Sequence, residues 1–163
     1  MPRSFYNNPE DAIEACERSS RTTHASTQAV DACRYYGGLI WAAVNGVDKE
    51  TLLKPHYHPA KGEWSEDDLD PEVYGVADYL EFAPTGDGYV IESMGAALWA
   101  FATTDNYVDG LLAVVNLGDD ADTTGAIYGM LAGAYYGVED IPTEWVEKLA
   151  FSEYIGELDN VND

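Results

Sequence analysis

The sequence predicts an all-α fold, a compact helical bundle, and three observations carry that expectation. Apolar residues recur at helical spacing in almost every periodic segment, as with Val30, Cys33, Gly37, Ile40, Trp41 and Val44 between Ser26 and Val44. Gly125, Gly129, Gly133 and Gly137 stand four residues apart, a step that sets them in one row on a helix. No run alternates apolar and polar residues long enough to pattern a sheet.

The elements follow in chain order. Residues 10 to 18 form a short amphipathic helix with Ala12, Ile13, Ala15 and Cys16 inward. The helix from Ser26 to Val44 stops at Asn45-Gly46. Residues 55 to 70, with two prolines, a glycine and an acidic cluster, read as the main loop. Pro71 opens a short helix over 71 to 80, since proline suits a first helical turn. Pro84-Thr85-Gly86-Asp87-Gly88 is a second loop, followed by helices from Tyr89 to Thr103 and from Asn106 to Val115. Asp122 to Tyr136 is the glycine-rich helix. Each glycine inside a helix costs about 0.5–1 kcal/mol relative to alanine, so the row predicts a neighbouring helix in close approach. Gly137 suits the left-handed residue that ends it. Residues 142 to 158 add a final helical pair.

The charge balance is the compositional outlier: 30 acidic residues against 8 basic ones leave a net charge of −22. A field of that sign repels nucleic acid and anionic membranes, so neither is expected as a partner. An acidic surface adapted to high salt and an ordinary acidic cytosolic protein both fit. Met1-Pro2-Arg3 leads into Ser4-Phe5-Tyr6-Asn7-Asn8 rather than an apolar run, so no signal peptide is expected. The apolar stretch from Ala126 to Val138 is too short to span a bilayer. Cys16 and Cys33 form no metal or redox motif and read as inert thiols in a reducing, cytoplasmic setting.

Chemistry concentrates in Asn116-Leu117-Gly118-Asp119-Asp120-Ala121-Asp122-Thr123-Thr124, three carboxylates and two hydroxyls at the mouth of a helix. One reading is capping, because Asp and Thr cap well and acidic side chains suit the first turn. The other is cation binding. A cap needs one side chain, while three clustered carboxylates repel one another, and a hard divalent cation would take oxygen ligands from Asp-x-Asp-Thr. His56-Tyr57-His58 adds a weaker alternative, a zinc clasp from two histidines on an extended strand. His24 alone reads as structural or exposed.

Several segments together carry a family resemblance. They are Ser19-Ser20-Arg21-Thr22-Thr23-His24, then Gly88-Tyr89-Val90 running into Ala96-Ala97-Leu98-Trp99-Ala100-Phe101. The Asn116–Gly129 segment follows, then Ala132-Gly133-Ala134-Tyr135-Tyr136-Gly137 with Ile141-Pro142 and Trp145. In order and spacing the chain resembles the ADP-ribosylglycohydrolase (dinitrogenase-reductase-activating glycohydrolase-like) family over nearly its whole length. The resemblance implies an all-α fold and a site for two divalent cations, magnesium or manganese. It implies metal-ligand roles for Asp120, Asp122 and Thr123, with Asp120 also catalytic. His24 would line the pocket beside the metals as a second catalytic residue, and Gly88 and Tyr89 would bind the nucleotide. Asp119 stands where many members have glycine and takes no role. Full-length relatives open with a Gly-Asp-rich helix and a Thr-Asp-Asp-Thr segment that complete the metal shell. Neither occurs in the eighteen residues before Ser19. Thr103-Thr104-Asp105-Asn106 lies between two helices and reads as a cap.

Residues 1–163 therefore read as a single truncated ADP-ribosylglycohydrolase-like domain. Two functions stand side by side. One is a metal-dependent hydrolase of an ADP-ribosyl bond or, with a more open cleft, of small phosphoesters. The other is a non-catalytic metal- or nucleotide-binding module, or half of a split enzyme. Apolar surface left uncovered by the missing half predicts a homodimer.

Overall fold

A computed structural model describes residues 7–76 and 87–151. Helix α1 (Pro9–Ser20) starts where Asn8 accepts the Glu10 N–H, with proline in the first turn and Glu10 and Asp11 facing the positive end of the dipole. It packs along α2 (Thr27–Val44), which Ser26 caps through the Ala29 N–H. Asn45 and Gly46, the latter at φ 79°, end α2 as predicted. A single turn, α3 (Lys49–Leu52), follows under an Asp48 cap.

Within the long loop, β1 (Tyr57–His58) pairs antiparallel with β2 (Gly62–Glu63), Tyr57 opposite Glu63 and His58 opposite Gly62. Neither α3 nor this hairpin was expected. One turn and two-residue strands are too short to leave a periodic trace. The hairpin delivers Trp64, 2% exposed, into the core beneath the Arg34 guanidinium. Asp70 then caps α4 (Pro71–Gly75).

The second half is a bundle of α5 (Val90–Thr103), α6 (Tyr107–Val115) and α7 (Ala121–Tyr136), with α2 completing the core. Trp64, Leu98, Phe101, Tyr128 and Leu131 are the largest side chains that the core buries completely. Asn106 caps α6, the role expected of the Thr103–Asn106 segment. A 3₁₀ turn at Val138–Asp140 and the short α8 (Thr143–Val146) follow. The predicted helices over 71–80 and 142–158 and the loop at Pro84–Gly88 lie partly outside the described residues. No described helix is long and apolar enough to cross a membrane.

The glycine row works over half its length. A Cβ at Gly125 would meet Val115 at 3.1 Å, and one at Gly129 would meet the Tyr107 hydroxyl at 3.4 Å, so both face α6. Gly133 faces open space, and Gly137, at φ 90°, ends the helix. The tightest approach belongs to a glycine outside the row. A Cβ at Gly110 of α6 would lie 2.0 Å from the buried Tyr128 hydroxyl. That hydroxyl donates to the carbonyls of Asn106 and Tyr107, so the α6–α7 seam is both close-packed and hydrogen-bonded.

Candidate active site

The turn between α6 and α7 is built from two consecutive left-handed residues, Gly118 at φ 81° and Asp119 at φ 53°. Glycine adopts this region without cost, and aspartate is one of the few side chains that tolerates it. Asp119 therefore occupies a position whose backbone favours glycine. Its carboxylate is exposed.

Asp120 stands at the N-cap of α7, yet its side chain accepts no capping hydrogen bond. The buried Thr124 hydroxyl instead bonds back to the carbonyls of Asp120 and Ala121. The half-buried Asp120 carboxylate lies against Gly88, where a Cβ would sit 2.4 Å from its Oδ2. Asp122 and Thr123 are exposed in the next turn. Among the described residues no hydrogen bond or ion pair engages the carboxylates of Asp119, Asp120 or Asp122. These oxygens are not used in holding the helix end, and hard carboxylate and hydroxyl oxygens suit magnesium or manganese. The count falls short, however. No group of three His, Cys, Asp or Glu side chains able to hold a metal occurs among the described residues. The segment by itself could supply only part of an oxygen shell.

The facing wall is the turn at Asp87-Gly88-Tyr89. The Asp87 carboxylate accepts the Tyr89 N–H at 3.1 Å, an Asx turn, and the buried Ser93 hydroxyl donates to the Asp87 carbonyl at 3.0 Å. The exposed Tyr89 phenol donates to Glu72 of α4 at 2.8 Å, and Gln28 of α2 donates to the same carboxylate oxygen at 3.1 Å. The hydrogen bond to Glu72 pushes the Tyr89 phenol above its ordinary pKa, because the bond is lost with the proton.

His24 lies between α1 and α2. Its backbone is held by Ser20, whose carbonyl accepts the His24 N–H at 2.7 Å and whose hydroxyl donates to the His24 carbonyl. The ring is exposed with Nδ1 3.0 Å from the Thr23 hydroxyl, and it makes no hydrogen bond to Asp120 or Asp122. Gly88 and Asp120 are thus in contact, while His24 is not bonded to either aspartate.

The other candidate donors serve separate ends. His56 stacks on Tyr74 with ring centroids 3.6 Å apart. The buried His58 accepts the Ala60 and Lys61 N–H groups on Nδ1, which places its proton on Nε2, and burial lowers its pKa. The two rings thus have different partners, and no third His, Cys, Asp or Glu side chain joins them in a metal-holding group among the described residues. Cys16 and Cys33 line an apolar cavity of about 350 Å³ with Tyr36, Met94, Ile127 and Met130. Burial, with Cys33 nearby, pushes the Cys16 thiol up, which keeps it protonated and a poor nucleophile.

Sequence reasoning missed Glu72, Gln28 and Ser93. The Asp87-x-Tyr89 spacing could have signalled the Asx turn. Nothing local marks Glu72, because its partners are 17 and 44 residues away.

A family model described as ADP-ribosylglycohydrolase matches residues 1–162. The chain is 37% identical over 142 residues to ADP-ribosylarginine hydrolase Tri1 of Pseudomonas putida (strain GB-1), covering 85% of this chain and 36% of that protein. It is 34% identical over 150 residues to the protein of the same name from Serratia proteamaculans (strain 568), covering 87% and 38%. Among solved structures, an ADP-ribosylglycohydrolase-related protein complex is similar with a TM-score of 0.81 at 37% identity, over 94% of this chain and 52% of that one. The chain spans little more than a third of these two relatives and about half of the solved structure.

Proposed function

The chain belongs to the ADP-ribosylglycohydrolase family, and from that premise we propose that it forms the Asp120-bearing wall of a divalent-cation-dependent hydrolase of ADP-ribosyl bonds. The observation that carries this reading is the posture of Asp120, a residue at a helix N-cap that leaves its carboxylate out of the cap and against Gly88. Asp120, Asp122 and Thr123 would hold magnesium or manganese together with ligands from outside the described residues. Such a cation supplies Lewis acidity and orients the substrate when bound.

The chain's own groups take the remaining roles. Gly88 and Tyr89 bind the nucleotide end, with the Gly88 backbone bringing it beside Asp120. Water adds at the anomeric carbon as the bond to the leaving nitrogen or oxygen breaks. Asp120 accepts the proton from water, and His24 protonates the leaving group. A more open cleft would also admit small phosphoesters.

The test is an alanine series on ADP-ribosyl-arginine with cation binding measured in parallel. Asp120→Ala and Asp122→Ala lose cation and turnover together, since one carboxylate serves both. His24→Ala keeps the cation while turnover falls by about 10²–10⁴-fold. An Asp122→Ala protein that binds cation and turns over like its parent refutes the assignment.

A second reading is supported by the small number of ligating side chains gathered at the site among the described residues. Here the chain binds metal or nucleotide without turnover, or completes a site with another polypeptide, a second copy in a homodimer being the simplest. Val44, Leu112 and Met130, each between 44% and 53% exposed, and the apolar cavity are surfaces such a partner would cover. Light scattering that shows only monomer at micromolar concentration refutes the homodimer.

A further inference from the structure

An exposed tyrosine ordinarily samples several rotamers, but Tyr89 is tied down although it is 43% exposed. Its phenol donates to a Glu72 oxygen that also accepts from Gln28. Glu72 is itself anchored from the core. Its N–H donates to Asp70 at 3.0 Å, and the Asp70 N–H donates to Asp31 at 2.8 Å. Asp31 is 6% exposed and paired with Arg34 at 2.7 Å, and Arg34 also reaches the Asp68 carbonyl. A continuous run of hydrogen bonds thus leads from the buried face of α2, through the start of α4, to the phenol of Tyr89.

We infer that Glu72, supported by Gln28, is a positioning residue that holds the Tyr89 ring in place for the nucleotide end of the substrate. The inference rests on the proposed role of Tyr89 in ADP-ribose binding. Its electrostatic sign makes it testable. Glu72 is a carboxylate, the chain carries −22, and ADP-ribose brings two further negative charges. On charge alone, removing Glu72 strengthens binding by relieving repulsion. Positioning predicts the reverse, because a released Tyr89 must be ordered again when ligand binds.

The experiment is calorimetric titration of ADP-ribose into the chain in magnesium. Glu72→Ala should bind about threefold to tenfold more weakly, the scale of one lost hydrogen bond. Glu72→Gln, which keeps the acceptor oxygen and sheds the charge, should bind as tightly as the parent or more tightly. Glu72→Ala added to Tyr89→Phe should cost nothing further, since the phenol that Glu72 holds is already gone. Tighter binding by Glu72→Ala, or losses that multiply in the double variant, overturns the inference. A second arm needs no ligand. Nuclear magnetic resonance of labelled tyrosine should show Tyr89 losing order in Glu72→Ala and keeping it in Glu72→Gln. Unchanged order in Glu72→Ala overturns the positioning role even if ADP-ribose binds. A parent that binds no ADP-ribose, with Tyr89 ordered through Glu72, overturns the assigned ligand instead.

Discussion

Replacing Gly88 by alanine separates the seating of Asp120 from the stability of the fold. Gly88 is exposed and its φ lies outside the left-handed region, so alanine adopts the backbone without strain. The new Cβ would stand 2.4 Å from Asp120 Oδ2 and 3.2 Å from its Cγ. The carboxylate must retreat by about 1 Å to reach ordinary contact. It is the far end of a half-buried side chain and can swing aside at little cost. The melting temperature should therefore stay within a few degrees, helped by the reduced freedom of the unfolded chain, worth about 0.4–1 kcal/mol. On the role proposed for Asp120, function should suffer far more. A displacement of about 1 Å in a reacting group costs on the order of 10²-fold in rate, and disturbed support of a metal ligand costs about 10–100-fold in affinity. Manganese binding followed by electron paramagnetic resonance, turnover of ADP-ribosyl-arginine and thermal melting test this together. Gly95→Ala is the control, because its Cβ would meet nothing closer than Val76 at 4.0 Å. If Gly88→Ala matches the parent in cation affinity and turnover within about twofold, the contact does not seat Asp120.

Gly110→Ala should act on stability instead. Its Cβ would lie 2.0 Å from the Tyr128 hydroxyl and 2.7 Å from Thr104 Oγ1, and Tyr128 is fully buried with no room to yield. A loss of about 1–3 kcal/mol outweighs the helix-propensity gain, and melting should fall by about 2–4 °C for each kcal/mol. An unchanged melting temperature refutes the close-packed seam. Potassium chloride should raise the melting temperature, because a net charge of −22 repels itself and screening acts over about 10 Å at 0.1 M. A flat or falling series up to molar salt rejects the repulsion argument. Stability should also fall as pH rises above 10. Burial pushes the Tyr35 phenol up to about 12, and Tyr36 and Tyr128 upward as well, so the unfolded chain gives up these protons first. A urea midpoint that does not decline between pH 9 and 11.5 contradicts the assigned burial.

What the sequence determined by itself is the class of fold and the ends of its helices. Helical hydrogen bonds and caps join residues within four positions, so Ser26, Asn106 and Gly137 declare their roles locally. Ser26, Tyr89 and Asn106 stand at the N-cap positions, one step before the first helical residue. The order of motifs was enough to identify the family that the comparisons support. Tertiary structure alone decided which groups meet. Spacing tells which face of a helix a residue occupies but not which neighbour that face receives. The closest backbone approach therefore fell to Gly110 rather than to the glycine row. For the same reason two histidines two positions apart went to different partners, and the hairpin of Tyr57–His58 with Gly62–Glu63 left no pattern to read. The Asp120 carboxylate over Gly88, and the Glu72 and Gln28 hold on Tyr89, join α7, α5, α4 and α2 across long stretches of chain. Such contacts exist only once the helices have packed.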